Sequence, residues 1–144
     1  MSNRIEDLPD WLASIEPDGY TAPYWAALRN HRLTCQQCDR CGTFRFPPVP
    51  LCHVCNSFEV SWADLGSSGV VYSFTIVRHP ATKAIAPYVP YVIVLVEFDE
   101  APGARLVSNV VGCQPEAVFI GMRVNIDWYD QTDTVTVPRF RPAG

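Results

Sequence analysis

Residues 38–62, CDRCGTFRFPPVPLCHVCNSFEVSW, carry the pattern on which the reading of the whole chain turns. Cys38 and Cys41 form one CxxC turn, Cys52 and Cys55 a second, and ten residues separate them. A CxxC turn sets two thiolates on one side of a tight knuckle, and two facing knuckles complete the tetrahedral four-sulfur site that zinc prefers. Gly42 and Asn56 follow the knuckles, and these residue types enter the left-handed backbone region most cheaply, which turns backbone N–H groups toward the sulfurs. Four thiolates fill the coordination shell, so the expected zinc is structural and reveals no chemistry. Iron suits the same cage. Cys35 and Cys38 form a further CxxC that allows a shifted ligand set; Gly42 favours the 38/41 register and makes Cys35 a flanking thiol. Two disulfides would need an oxidising compartment, whereas MSNRIEDLPDWLASIEPDG lacks the apolar region and cleavage site of a secretory signal. A cytoplasmic protein is expected.

Outward from the knuckles the signal is strand. Phe44 and Phe46 alternate with polar neighbours before Pro47, Pro48 and Pro50 hold the return extended, and Phe58, Val60 and Trp62 repeat with period two. Downstream, GVVYSFTIVR (69–78), YVIVLVEF (91–98) and ARLVSNVV (104–111) are rich in β-branched and aromatic residues and bounded by Gly, Pro or Asp. A short helical turn is expected within 114–120, followed by strands in GMRVNIDWYD and TDTVTVPRF. Five strands with a helical insertion after the third suit a small, partly open Greek-key barrel of the OB type. Its loop between the first and second strands, HPATKAIAPYVP, is the kind that often carries binding residues.

Upstream, residues 5–30 carry apolar residues at helical spacing: Trp11, Leu12 and Ile15 in one piece, Tyr20, Tyr24, Trp25 and Leu28 in another, broken by Pro17, Asp18 and Gly19. Thr21 is the expected N-cap of the second helix, with Pro23 in its first turn. This arm packs on its own domain or docks on a partner chain through Trp11, Tyr24 and Trp25, since Trp and Tyr are favoured at interfaces. The expected division is a helical arm (1–32), a metal ribbon (33–62) and the barrel (63–144).

The chain of 144 residues, 48% hydrophobic, can bury one core. Its longest apolar run is broken by Pro90 and soon meets Glu97, too short for a membrane span. The formal charge of −4 comes from the first 20 residues, and Lys83 is the only lysine, so no basic face for nucleic acid emerges. Catalytic groups are sparse: there is no phosphate-cradling glycine loop, no GxSxG and no cysteine in a nucleophile motif. His31 closes the arm and His53 sits inside the second knuckle. His79, with Arg78 and Lys83 at the mouth of the long loop, is the one grouping suited to a ligand phosphate, against the ordinary reading of a solvated charged loop.

The run CDRCGTFRFPPVPLCHVCNSFEVSW, then SSGVVYSFTIVRHP, PYVIVLVEFDE and IGMRVNIDW, together with APYWAALRNHRL, resembles the rubredoxin-like zinc ribbon plus OB-fold family, long a domain of unknown function and associated with acyl-CoA metabolism. The resemblance implies a mainly β protein with an N-terminal helical arm, a zinc ribbon and a C-terminal five-stranded OB-fold barrel. It further implies a non-catalytic accessory subunit, hetero-oligomeric with a thiolase-fold enzyme (acyltransferase, thiolase or aldolase) or with a hotdog-fold hydratase. The partner would carry the catalytic residue. This subunit would aid assembly and help hold a CoA thioester, with Arg78, His79 and Lys83 on a CoA phosphate. The competing class is a single-stranded nucleic-acid binder with Tyr72, Phe74 or Tyr91 as stacking platforms, which would need an electropositive groove.

Overall fold

The computed structural model describes residues 15–144. Trp11, one of the three aromatics expected at a partner surface, and most of the first helical stretch lie outside the described residues. The arm helix α1 (Ala22–Arg29) is present with Thr21 at the expected N-cap position, but the Thr21 side chain makes no bond to the helix amides. Asp18 organises the turn before the helix: its Oδ1 accepts from the backbone N–H of Tyr20 and Thr21 at 2.9 and 2.8 Å and from the Thr21 hydroxyl at 2.9 Å. The Thr21 hydroxyl also accepts from the Asp18 N–H at 3.0 Å, so it is spent on Asp18, and the helix is entered through the Thr21 carbonyl, which accepts from Trp25 N–H at 3.1 Å. The first helix amide, Ala22 N–H, donates to the Asp18 carbonyl at 2.8 Å, so the preceding turn meets one of the unpaired N–H groups of the helix start. Tyr24 and Leu28, four residues apart and therefore on one face, are the buried side of α1.

The ribbon is a three-stranded antiparallel sheet with β1 (Thr34–Cys38) between β2 (Phe44–Arg45) and β3 (Val60–Asp64). Gln36 faces Arg45 on one side and Trp62 on the other. Beyond Gly66, which adopts φ +70°, the chain enters the barrel: β4 (Ser68–Val77), β5 (Tyr91–Glu97), β6 (Arg105–Val110), β7 (Arg123–Asp130) and β8 (Thr136–Pro142). The expected loop between β4 and β5 winds into a 3₁₀ segment at Lys83–Tyr88, and the expected helical turn after β6 is a single 3₁₀ turn at Pro115–Ala117.

Neighbours run β4-β5-β6-β8-β7, and β7 returns to β4, so the barrel closes instead of staying partly open. The closing seam between β6 and β8 is parallel and rests on the Val110–Phe140 pair, supported by Val111 N–H donating to the Phe140 carbonyl at 2.8 Å. Alternation along β5 turns Val92, Val94 and Val96 inward, each fully buried. Burial of a valine side chain contributes about 1.5–3 kcal/mol relative to exposure, and such inward rows hold the barrel together. Gly69 is required near the start of β4, because a Cβ there would stand 2.6 Å from Val96 Cγ1 and 2.9 Å from the Glu97 carbonyl. One hydrophobic core runs through all three parts, from Tyr24 and Leu28 in the arm through Leu33, Cys35 and Leu65 to Phe98 and Phe140 in the barrel.

Candidate metal centre

The two knuckles have the same local structure. Gly42 N–H donates to the Cys38 carbonyl at 2.8 Å and Asn56 N–H to the Cys52 carbonyl at 3.0 Å. One residue further, Cys38 N–H reaches the Thr43 carbonyl at 2.9 Å and Cys52 N–H the Ser57 carbonyl at 3.0 Å. The turn needs a positive φ at its end, which Gly42 (76°) and Asn56 (61°) supply, as the residue types require. The four Sγ atoms of Cys38, Cys41, Cys52 and Cys55 lie within 4.8 Å of one another. The cross-knuckle pairs Cys38–Cys55 and Cys41–Cys52 are 3.5 and 3.6 Å apart. Those separations are far beyond a disulfide bond and close to the ~3.8 Å between sulfurs around a tetrahedral ion with ~2.3 Å bonds. The donor set therefore fits zinc.

The backbone prepares the sulfurs for that role. The amides of Cys55 and then Val54 draw the Cys52 thiol down to about 6. The Cys41 amide is the largest influence on Cys38, which is also lowered. Cys55 receives a lowering contact from the Ser57 amide, yet burial and the crowding of Cys38, Cys41 and Cys52 push it up to about 11. Like charges brought this close cannot all be ionised without a cation. Cys35 stands apart: it lies in β1, is fully buried in the hydrophobic core, and burial raises its thiol to about 11. Cys113 is half-buried against that core.

The other expected contacts are placed less simply. Tyr24 is a core residue of this chain, 4% exposed, with edge contacts to Trp25 at 5.2 Å and Phe46 at 5.3 Å. Trp25 is half-buried. His79 and Lys83 are exposed, while Arg78 is drawn away from an open phosphate site by Glu116, which it meets at 2.8 Å. Glu116 sits 38 residues along the chain, so only the barrel's topology brings it there. His53 is exposed and His31 bonds Asp130 at 2.9 Å. For nucleic acid, one face of Tyr72 is covered by Arg105, 3.7 Å from its ring centre, and Phe74 is half-buried. Several exposed arginines pair locally: Arg32 with Asp64, Arg105 with Glu97, Arg123 with Asp99 and Arg141 with Asp127. A cleft of about 560 Å³ lined by Val71, Tyr72, Glu97, Phe98, Asp99 and Ile120, among others, has no counterpart in the sequence reading because its walls come from three separate segments.

Among the described residues, no helix is long and apolar enough to cross a membrane. Residues 25–61 match the family described as the ChsH2 rubredoxin-like zinc ribbon domain, and residues 62–129 match the ChsH2 C-terminal OB-fold domain. A probable enoyl-CoA hydratase alpha subunit of Thermomonospora curvata is 41% identical over 83% of this chain and 36% of its own length. A DUF35 domain-containing scaffold protein of Methanocaldococcus jannaschii is 39% identical over 61% of each chain. This chain therefore spans about a third to three fifths of these curated relatives. Among solved structures, a chain of the Ltp2-ChsH2(DUF35) aldolase superposes with a TM-score of 0.79 at 37% identity, over 91% of this chain and 100% of that one.

Proposed function

The chain belongs to the ChsH2-type (DUF35) family of zinc ribbon plus OB-fold proteins, and on that premise we propose that it is a non-catalytic accessory subunit of a thiolase-fold enzyme acting on a CoA thioester. The observation that carries this reading is the likeness to a whole chain of the Ltp2-ChsH2(DUF35) aldolase, at 37% identity and a TM-score of 0.79. The arm (1–32), ribbon (33–62) and barrel (63–144) act together as the scaffold, with structural zinc on Cys38, Cys41, Cys52 and Cys55. The partner carries the reacting groups. Trp25, which is half-buried, and Trp11 are the aromatic contacts assigned to the partner, while Tyr24 meets Trp25 from the core. His79 and Lys83 are kept as contacts to a CoA phosphate, and Arg78 joins them only by leaving Glu116.

A second reading has its own support. The relative named as a hydratase alpha subunit is nearly three times the length that this chain spans. A hotdog-fold hydratase is accordingly the alternative partner. Co-expression with each class of enzyme, followed by size-exclusion chromatography and a CoA-thioester assay, separates the two. Co-elution with the thiolase-fold enzyme, together with activity that depends on this chain, is the expected result. Turnover by this chain alone, or separate elution from an enzyme fully active without it, overturns the proposal.

A further inference from the structure

Arg45 is a charged residue only 3% exposed. Its Nε donates to Gln36 Oε1 at 2.9 Å and its Nη2 to the Val49 carbonyl at 3.4 Å, while its Nη1 is buried with no hydrogen-bond partner. Among the described residues no carboxylate pairs with it. A guanidinium keeps its charge in proteins, and a buried charge without a compensating one is strongly disfavoured. Neutral oxygens from an amide and a peptide do not supply that compensation.

The topology places the knuckles beside this guanidinium. Arg45 faces Gln36 across the β1–β2 pair, and Gln36 shares a strand face with Cys38 two residues on. Val49, whose N–H also donates to Gln36 Oε1 at 2.9 Å, lies three residues before Cys52. The Gln36–Arg45–Val49 knot is thus built into the same strand, hairpin and return segment that present both pairs of sulfurs. Four thiolates against one divalent ion leave that cluster doubly negative. The other arginine of the knuckles, Arg40, is exposed, where water screens it.

We infer that Arg45 is the buried counter-cation of the zinc-bearing cysteine cluster, offsetting its negative charge and so strengthening its hold on the metal. This rests on the zinc reading above. The cluster in turn relieves the isolated guanidinium, so metal occupancy and burial of Arg45 support one another.

Zinc competition against a chromophoric chelator tests this, using the wild-type chain, Arg45→Met, Arg45→Lys and Gln36→Glu. Arg45→Met should bind zinc roughly tenfold more weakly, because charges interact strongly where water is excluded. Arg45→Lys, which keeps the charge without the fork, should recover most of that loss. Gln36→Glu is the decisive variant: it strengthens the local bond to Arg45 but gives the guanidinium a carboxylate, so zinc should again bind roughly tenfold more weakly. A purely packing role for Arg45 calls for the opposite, zinc held as tightly as in wild type or more so. Unchanged affinity in Gln36→Glu, or in a folded Arg45→Met, overturns the inference while the zinc reading stands. If Arg45→Met does not fold, Gln36→Glu decides alone. A wild-type chain that takes up no zinc overturns both.

Discussion

His31 lies flat on Trp128, with ring centres 5.1 Å apart and planes 3° from parallel, and its Nε2 meets Asp130 Oδ1 at 2.9 Å. The pair joins the end of the arm helix to β7, so one aromatic and one polar contact lock the arm against the barrel. His31 reaches this position through a left-handed φ of 54° just beyond the end of the helix. The bond from His31, and then that from the Thr136 hydroxyl, hold the Asp130 carboxyl below its ordinary value of 3.8. A carboxylate with a depressed folded-state pKa stabilises the fold above its unfolded value, and that stabilisation is lost as pH falls through the folded one. Asp130→Asn should therefore lower the thermal midpoint at neutral pH, and its deficit should shrink in acid as wild type loses the same contact. Thermal melts from pH 7 down to about pH 2 read this directly: the deficit should begin to shrink only near 3.8 and close below it, and a deficit that stays constant to the acid end would contradict it.

Tyr24 is a core anchor, so Tyr24→Ala should cost about 3–5 kcal/mol of stability in the isolated chain, as large-to-small core substitutions do. Trp25→Ala, at a half-buried site, should cost less in isolation and more in a complex. Urea unfolding of the free variants, set beside pull-down with the partner, separates the two roles.

One zinc per chain is expected by elemental analysis. Cys35→Ser should retain it, because Cys35 lies in the hydrophobic core away from the sulfur cluster. Cys52→Ser should lose it. Removal of zinc by a chelator should destabilise the whole chain, since binding energy at a structural site is folding energy. Retention of full stability by the metal-free protein would refute this.

Gly69→Ala should destabilise by about 1–3 kcal/mol, the usual cost of overpacking. The obstruction includes the Glu97 carbonyl, which is backbone and moves only with the strand. A denaturant midpoint equal to wild type would show that β4 and β5 separate more easily than their pairing implies.

Single-stranded DNA or RNA should bind weakly and without a steep salt dependence. Phosphate contacts need unpaired cations, and the exposed arginines of this barrel largely face carboxylates. Fluorescence-anisotropy titrations at two salt concentrations test the point, and tight, salt-sensitive binding would restore the nucleic-acid reading.

The strands and the sulfur cluster were legible in the sequence because each depends on short-range pattern. Period-two alternation marks β5, and CxxC with a following Gly or Asn marks a knuckle. What was not legible depends on which distant segments meet. Arg78 stands beside His79 in the sequence, but its ion-pair partner Glu116 lies on a turn after β6 that only the fold brings across from it. Tyr24 carries the same residue type whether it faces a partner or Phe46, and only the packing of arm on ribbon separates the two cases. Asp18 and Thr21 are both good capping residues, so their spacing could not say which oxygen would be spent on the other.

The continuity of the core from Leu28 through Leu65 to Phe140 has a consequence for inheritance. A gene segment can be exchanged freely between relatives when its product closes its own apolar surface, and the ribbon here does not. Transplanting it alone would expose the undersides of the arm helix and the barrel at once. Recombination should therefore tolerate breakpoints outside these three parts far better than breakpoints between them.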